Sequence, residues 1–234
     1  MPKNLIAVFF YNNKKTVGSV LLGLKKLDLK NTYFLLINDA SIDNTLFEIH
    51  KYKKNIKNSI FINNSINKGF ARNYKFSIKY AIKNSFDKLV FFHGDKQYPL
   101  NKINLLISKL NHYDLCYGSR FLNIGSVKKN MPRLRYIANK FLTYYLNFLF
   151  KVKVTEYFSG FRGFRVESFL NINLKKFSNF YDIEQQIHFY FIKKKKNISE
   201  FSIPTRYYTK HSSIPPFKYC FRIIVTGLFF ALFI

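Results

Sequence analysis

The chain of 234 residues predicts an α/β fold, a mostly parallel central sheet flanked by helices. Three observations carry that prediction. Short apolar runs recur through the first half, each broken abruptly by Asn, Asp, Gly or Pro; continuous runs of this kind read as parallel strands buried on both faces. Segments with apolar residues at helical spacing lie between them. Strand and helix therefore alternate, which is the pattern of parallel strands joined by crossover helices.

Leu5 to Phe10 is the first run, and Tyr11-Asn12-Asn13 breaks it. Val17, Val20, Leu21 and Leu24 line one face of a helix between Thr16 and Leu27. Thr32 to Ile37 is the second strand. It closes in Asn38-Asp39-Ala40-Ser41-Ile42-Asp43-Asn44-Thr45, where Ser41 and Asp43 are good helix caps, and a helix follows to about Lys54. Ser59 to Ile62 is a short strand, Asn67-Lys68-Gly69 a turn, and Ala71 to Lys83 a helix. Leu89 to Phe92 is the fourth strand, ended by His93-Gly94-Asp95-Lys96-Gln97-Tyr98-Pro99. The second half is less regular. Asp114 to Tyr117 reads as a strand ending in Gly118-Ser119-Arg120, and Arg133 to Val152 as a helix. No internal repeat or linker-like stretch divides the chain.

Hydrophobic residues make up 48%, enough for the core of one large domain. The formal net charge is +27, with only 12 Asp and Glu against 39 Lys and Arg. Nucleic acid, an anionic membrane surface and phosphorylated substrates all attract such a chain. Lys, Asn, Ile and Phe are abundant together, so a compositional bias also inflates the lysine count. No zinc-finger, helix-turn-helix or RNA-recognition signature is present, and the few carboxylates cluster where a polyanion would be repelled, so nucleic acid is not the expected partner. Cys116 and Cys220 have neither metal-ligand spacing nor a disulfide framework, which points to a reducing compartment. The short apolar run after Met1-Pro2-Lys3-Asn4 is a strand rather than the core of a signal peptide.

Ile223 to Ile234 is almost wholly apolar. A helix of that length, at about 1.5 Å per residue, is too short to cross a hydrocarbon core of ~30 Å. It reads as a buried core helix, or as an in-plane membrane helix anchored by Lys218 and Arg222 beside Phe and Tyr; a chain that continues into spanning helices fits as well. Charge and tail agree on the membrane reading. The expectation is a main domain over residues 1–213, a membrane-associated tail over 214–234, and a place on the cytoplasmic face of a membrane, peripheral or monotopic.

The stretch from Leu89 to Pro99 holds the densest chemistry. Ligands of open α/β sheets sit beyond the carboxyl ends of the strands. Asp95 and Gln97 supply hard oxygen ligands at such a place, suited to Mg²⁺ or Mn²⁺. Gly, Asp and Pro are also the ordinary residues of a strand-to-turn exit.

A set of short motifs in a fixed order extends this. Tyr11-Asn12 ends the first strand. Asn38-Asp39-Ala40-Ser41-Ile42-Asp43-Asn44-Thr45, Asn67-Lys68-Gly69 and His93-Gly94-Asp95-Lys96-Gln97 follow it, and then Gly118-Ser119-Arg120-Phe121, Met131-Pro132-Arg133-Leu134-Arg135 and Glu156-Tyr157-Phe158-Ser159-Gly160-Phe161-Arg162. Tyr181-Asp182-Ile183-Glu184 and Glu200 to Tyr207 complete the set. Over about residues 4–213 the sequence resembles family 2 glycosyltransferases of the GT-A nucleotide-sugar-binding fold. Within them it resembles the branch that uses polyprenyl phosphates, such as dolichyl-phosphate mannose synthase. Three positions depart from the family pattern: Asn38 replaces an Asp, which leaves the base preference open, His93 stands where the first Asp of the metal motif is usual, and Glu156 stands for an Asp.

The resemblance implies an inverting, metal-dependent transfer of a sugar from a nucleoside-diphosphate sugar to an undecaprenyl- or dolichyl-type phosphate at the membrane surface. It assigns Asp95 and Gln97 to the metal. Tyr11, Asp39, Asp43, Asn67, Gly69 and His93 fall to the donor, although Asp43 reads more readily as a cap of the next helix, and Asn67 and Gly69 equally as a plain turn. His93 is open as a metal ligand, a phosphate contact when protonated, or a supporting side chain. Arg120, Arg135 and Arg206 fall to phosphate oxygens, which guanidinium forks match, and Arg162 falls among the substrate-binding residues. Glu156 either positions the acceptor or serves as base, so Asp95, Glu156 and Arg135 form the expected catalytic set. Of Asp182 and Glu184, two apart on a helix, one is expected to face the site and the other to cap or pair. A glycan hydroxyl as acceptor, or an enzyme that has lost turnover through His93 and Glu156, are the neighbouring readings.

Overall fold

The computed structural model describes residues 2–27, 29–206 and 216–234. Its strands are β1 (Asn4–Phe10), β2 (Thr32–Asn38), β3 (Ser59–Asn63), β4 (Lys88–His93), β5 (Leu115–Ser119), β6 (Arg162–Arg165) and β7 (Ile198–Ser202). The helices are α1 (Val17–Lys25), α2 (Thr45–Lys53), α3 (Phe70–Lys83), α4 (Ile103–Lys109), α5 (Ile124–Asn130), α6 (Arg133–Phe150), α7 (Ile183–Lys193) and α8 (Pro216–Phe233). Among the described residues the strands form one sheet in the order β3-β2-β1-β4-β6-β5-β7.

The apolar runs become strands because both of their faces are covered. In β1, Leu5 and Ala7 enter the core on one side of the sheet, and Ile6, Val8 and Phe10 enter the core on the other. In β4, Leu89 and Phe91 divide from Val90 and Phe92 in the same way. β1 pairs in parallel with β2 and β4, β2 with β3, and β5 with β7. The α/β class and its largely parallel sheet are as the sequence implies.

β6 departs from the alternating pattern. It runs antiparallel between β4 and β5, placing Arg162 opposite both Phe91 and Tyr117. Arg-Gly-Phe-Arg contains no apolar run, so only its tertiary partners mark it as a strand.

The tail divides between its two readings. α8 begins well before the apolar run and packs on α6 and α7. Ile223 and Phe230 are buried, and the Tyr145 hydroxyl of α6 donates to the Ile224 carbonyl at 3.2 Å. The opposite face leaves Phe217, Phe221, Leu232 and Phe233 exposed. Among the described residues no helix is long and apolar enough to cross a membrane. The expected boundary at 213/214 lies outside the described residues.

His188 on α7 is fully buried between the rings of Tyr117 and Tyr157, at centroid distances of 5.0 and 4.9 Å, and neither ring nitrogen is hydrogen-bonded. Burial, and then the Arg162 charge, hold its pKa well below the ordinary value. The folded state therefore keeps it neutral while the unfolded chain protonates it below about pH 6.5. Its contribution is intact above that pH and is lost as the pH falls. The urea midpoint should drop from pH 7 to 5.5, and His188→Phe should flatten that dependence. A slope unchanged by the substitution would clear His188 of the effect.

Candidate active site

β1 is the point at which the sheet reverses its order: β2 and β3 lie to one side and β4 to the other. The crevice beyond the carboxyl ends at such a reversal is where open α/β sheets bind ligands. Register sets Phe10 beside Asn38 and Phe9 beside His93, so the loops carrying the motifs leave the sheet together.

Polar side chains tie those loops to one another. Asn12 donates its backbone N–H to Ser41 Oγ at 3.0 Å and accepts from the Ile42 N–H at 3.0 Å. Ser41 Oγ donates to Asn38 Oδ1, and Asn38 Nδ2 to Asn63 Oδ1, at 2.6 and 2.7 Å. Thr16 Oγ1 donates to the Gly94 carbonyl at 2.6 Å. Tyr11 itself is half-exposed at the rim, with its N–H held by Asn13 Oδ1 at 2.9 Å.

Asp39 has a structural task of its own. Its buried carboxylate accepts from Asn64 Nδ2 at 2.8 Å and from the backbone N–H groups of Lys68 and Gly69 at 2.9 Å each. It braces the turn before α3, and Asn67 Oδ1 accepts from the same Gly69 N–H at 2.9 Å. Gly69 has φ +79°, a conformation that side chains resist, although a Cβ there would meet nothing. Asp43 is likewise a local brace. It accepts from the N–H groups of Thr45 and Lys14 at 2.9 and 3.3 Å. Burial pushes its carboxyl up, but these bonds and the Lys14 charge outweigh it and leave the pKa lowered. The N-cap position of α2 is itself taken by Asn44, one residue on.

The loop after β4 turns sharply. Lys96 has φ +64°, and Asp95 Oδ1 accepts from the Gln97 N–H at 3.0 Å. Asp95 and Gln97 are partly exposed at this turn. His93 is directed elsewhere. Its Nε2 is buried without a partner, and its ring meets Phe70 and Tyr98 edge-on at 5.6 and 5.3 Å. A Cβ on Gly160 would lie 2.9 Å from that nitrogen, so only glycine lets the two segments approach. The imidazole faces the 155–161 loop.

That loop is bolted down from all sides. Glu156 is fully buried, and its Oε2 accepts from the Arg120 N–H at 2.7 Å while Oε1 accepts from Arg120 Nε at 2.8 Å. Arg120 also donates to the Phe158 carbonyl at 3.2 Å. Both Glu156 oxygens are held by one arginine, so Glu156 positions Arg120 and the loop instead of meeting substrate as a base. Glu200 of β7 accepts from the Thr155 N–H at 2.9 Å and from the Tyr117 hydroxyl, and the Tyr98 hydroxyl accepts from the Gly160 N–H at 2.8 Å.

Arg162 is another correction. Expected among the substrate-binding residues, it is fully buried and donates inward, to the carbonyls of Ser159 at 2.6 Å, Glu184 at 2.9 Å and Tyr157. Arg135 sits part-exposed on the first turn of α6. Arg206 is exposed one residue beyond Thr205, whose N–H donates to Ser126 Oγ at 2.8 Å; Tyr207 lies outside the described residues. Asp182 pairs and Glu184 faces inward, resolving the expected division between them. Glu184 is buried with Oε1 unpartnered, its pKa raised by burial against the opposing charges of Arg162 and His93. Sequence reasoning placed Glu200 and Tyr98 inside motifs without giving them a task, and missed Tyr117 and Phe70 as parts of this assembly. The scarcity of carboxylates in so basic a chain was the available signal for Glu200.

The crevice at the sheet reversal, with a carboxylate loop on one rim and an arginine-braced loop on the other, has the GT-A architecture of glycosyltransferases. Residues 5–172 match glycosyl transferase family 2, and the chain belongs to that family. An uncharacterized protein of Methanocaldococcus jannaschii, MJ0544, is 27% identical over 206 residues, 85% of this chain and 86% of its own. Glucosyl-3-phosphoglycerate synthase from Mycobacterium tuberculosis, in a structure with Mn²⁺, UDP and phosphoglyceric acid, superposes with a TM-score of 0.72 at 13% identity, covering 99% of this chain and 79% of that one. Its structure with Mn²⁺, UDP-glucose and phosphoglyceric acid gives a TM-score of 0.68 at 14% identity, covering 98% and 80%. Identities this low show the fold.

Replacing Arg162 by Leu would remove all three of these bonds; Gln185 Nε2 still donates to the Tyr157 carbonyl at 3.1 Å, but the Ser159 carbonyl loses its guanidinium donor, and a buried group left unpaired costs roughly 1–3 kcal/mol. Arg162→Leu should therefore lower the urea midpoint and the soluble yield severely. A stable variant with weakened nucleotide affinity alone would return Arg162 to the substrate.

Proposed function

We propose that this glycosyltransferase moves a sugar from a nucleoside-diphosphate sugar to a polyprenyl phosphate at the cytoplasmic surface of a membrane. The observation that carries the acceptor half is a pair of apolar stripes beside the site. On α6, Leu134, Ile137, Phe141, Tyr144 and Phe148 are exposed at spacings of one helical face. On α8, Phe217, Phe221, Val225, Leu228 and Leu232 do the same. The two helices touch, and Tyr219 of α8 meets Phe158 of the 155–161 loop at 6.3 Å. Exposed apolar stripes on a chain of charge +27 suit an anionic bilayer, from which a lipid-linked phosphate would reach Arg120 and Arg135.

The donor half rests on the family and on the site. The solved relatives hold UDP or UDP-glucose with Mn²⁺ or Mg²⁺. Among the described residues no group of three His, Cys, Asp or Glu side chains forms a metal cluster. Asp95 and Gln97 nonetheless fit a hard divalent ion that takes its remaining ligands from diphosphate and water, as Mg²⁺ commonly does. Bound there, the ion would neutralise charge on the departing diphosphate. The chain's own residues orient the reactants. The Asn12-Ser41-Asn38 network fixes the donor loops, and Arg120, braced by Glu156, offers positive charge to an acceptor phosphate. The acceptor oxygen forms the new bond to the anomeric carbon as the bond to the diphosphate breaks on the opposite face, which inverts the configuration. A phosphate acceptor is already ionised near neutrality and needs no base.

The test is turnover by detergent-purified protein with Mn²⁺, a panel of nucleotide sugars and a short polyprenyl phosphate. Lipid-linked sugar is expected, and Asp95→Ala should reduce it at least about 100-fold with loss of metal-dependent nucleotide binding. Undiminished Mn²⁺-dependent binding in that variant would overturn the metal assignment. Sugar appearing only on glycan hydroxyls would replace the acceptor, and donor binding without any product would mark a lapsed enzyme. Separately, Phe141→Ser with Phe148→Ser and Phe221→Ser should release the protein from phosphatidylglycerol vesicles in a flotation assay; full retention would remove the stripes from the membrane reading.

A further inference from the structure

We propose that Arg222 is a positioning residue of the transfer site, and that α8 is thereby a working part of the transferase. This rests on the transferase reading of the site but not on the identity of the acceptor.

From the sequence Arg222 belongs among the headgroup anchors of an apolar tail. The structure turns it inward. Its Nη2 donates to Asp182 Oδ1 and Oδ2 at 3.2 and 3.1 Å and to Ser178 Oγ at 3.0 Å, and its guanidinium carbon lies 4.5 Å from the centre of the Phe180 ring. The Asp182 side chain is wholly buried. Its other partners are Ser178 Oγ at 2.6 Å and Gln186 Nε2 at 2.9 Å, both within its own segment. Arg222 is thus the cation in the network that compensates a buried charge, and a buried carboxylate stripped of its cation is strongly destabilising.

What this pair holds is the approach to α7. Asp182 is the N-cap residue of that helix, and Glu184 stands in its first turn. Tyr181, just before the cap, stacks on Phe70 at 6.2 Å, and Phe70 in turn meets His93 at 5.6 Å. The Glu184 carbonyl accepts from Arg162, which also holds the Ser159 carbonyl of the 155–161 loop. From the far side Lys75 of α3 donates to the Phe177 carbonyl at 2.6 Å and to Asn179 Oδ1 at 2.9 Å. The segment 177–184 is strapped by α3 on one flank and by α8 on the other, with Tyr181, stacked on Phe70, and the buried Glu184, whose carbonyl holds Arg162, between the straps. Loss of the α8 strap frees Tyr181 and Glu184 together. Displacements of about 1 Å at reacting groups cost on the order of 100-fold in rate.

The test pairs hydrogen–deuterium exchange with turnover, both in the full chain with Mn²⁺ and UDP or UDP-glucose. In Arg222→Ala, amides of residues 178–186 should exchange faster while those of 32–39 stay unchanged. Asp182→Asn should give the same pattern, and the double variant should add nothing to either. Release of UDP from UDP-glucose to water should fall about 10- to 100-fold in kcat with the donor KM within about two-fold, and Arg222→Lys should restore most of it. Unchanged exchange over 178–186 would overturn the clamp. Faster exchange there with an unaltered kcat would leave only a structural tie and overturn the positioning role. A native protein that releases no nucleotide counts against the donor reading instead, and the exchange arm then decides the clamp by itself. Should Arg222→Ala fail to fold, Arg222→Gln, which keeps an N–H donor and most of the length but not the charge, carries both measurements.

Discussion

A guanidinium sealed from water keeps its charge only if oxygen atoms surround it. Arg162 meets that requirement with the carbonyls of Tyr157, Ser159 and Glu184. The three belong to different parts of the site: two lie in the loop that faces His93, and the third opens α7. One buried cation therefore fixes the distance between the loop and the helix, and it does so from the strand that lies between β4 and β5. Its field reaches further, drawing the Glu184 carboxyl back toward the charged form and pressing His188 toward neutrality. Most of the second half of the molecule is arranged around that charge.

The nucleotide half is held by a different kind of bond. There the carboxylates and carboxamides of Asp39, Asp43, Asn12 and Asn38 bind backbone amides and one another across the loop ends. Parallel strands leave such amides exposed at their ends, and small polar side chains are the economical way to satisfy them. The two halves meet at His93 and Gly160, where an unusual imidazole and a missing side chain fit each other. With His93 facing inward, the carboxylate turn presents Asp95, Lys96 and Gln97, a less negative surface than two aspartates would give.

The first four strands were legible because each is apolar on both faces and needs no partner to be recognised. β6 and β7 were not, since Arg-Gly-Phe-Arg and Ile-Ser-Glu-Phe-Ser become strands through what they lie beside. The same distinction separates the site residues. Asp95 and Gln97 could be placed from a strand end and a turn. The duties of Asp39, Glu156 and Arg162 depend on which backbone groups fold back toward them, and spacing along the chain carries no record of that. Arg222 is the sharpest case. An arginine in an apolar helix reads as a contact with water or headgroups until Asp182 is found beneath it.

The antiparallel insertion of β6 also orders the assembly of the molecule. β1 to β4 pair through crossovers that are local in the chain, and they complete their half of the sheet from residues before Gly94. β5 has no direct neighbour in that half. It joins only when Arg162–Arg165 returns to lie between it and β4, and β7 then adds to its outer edge. The entropic cost of closing those long loops falls late, after the nucleotide half has a core to close against. On a ribosome, the donor-side crevice would take shape while the residues that complete the acceptor side were still being synthesised.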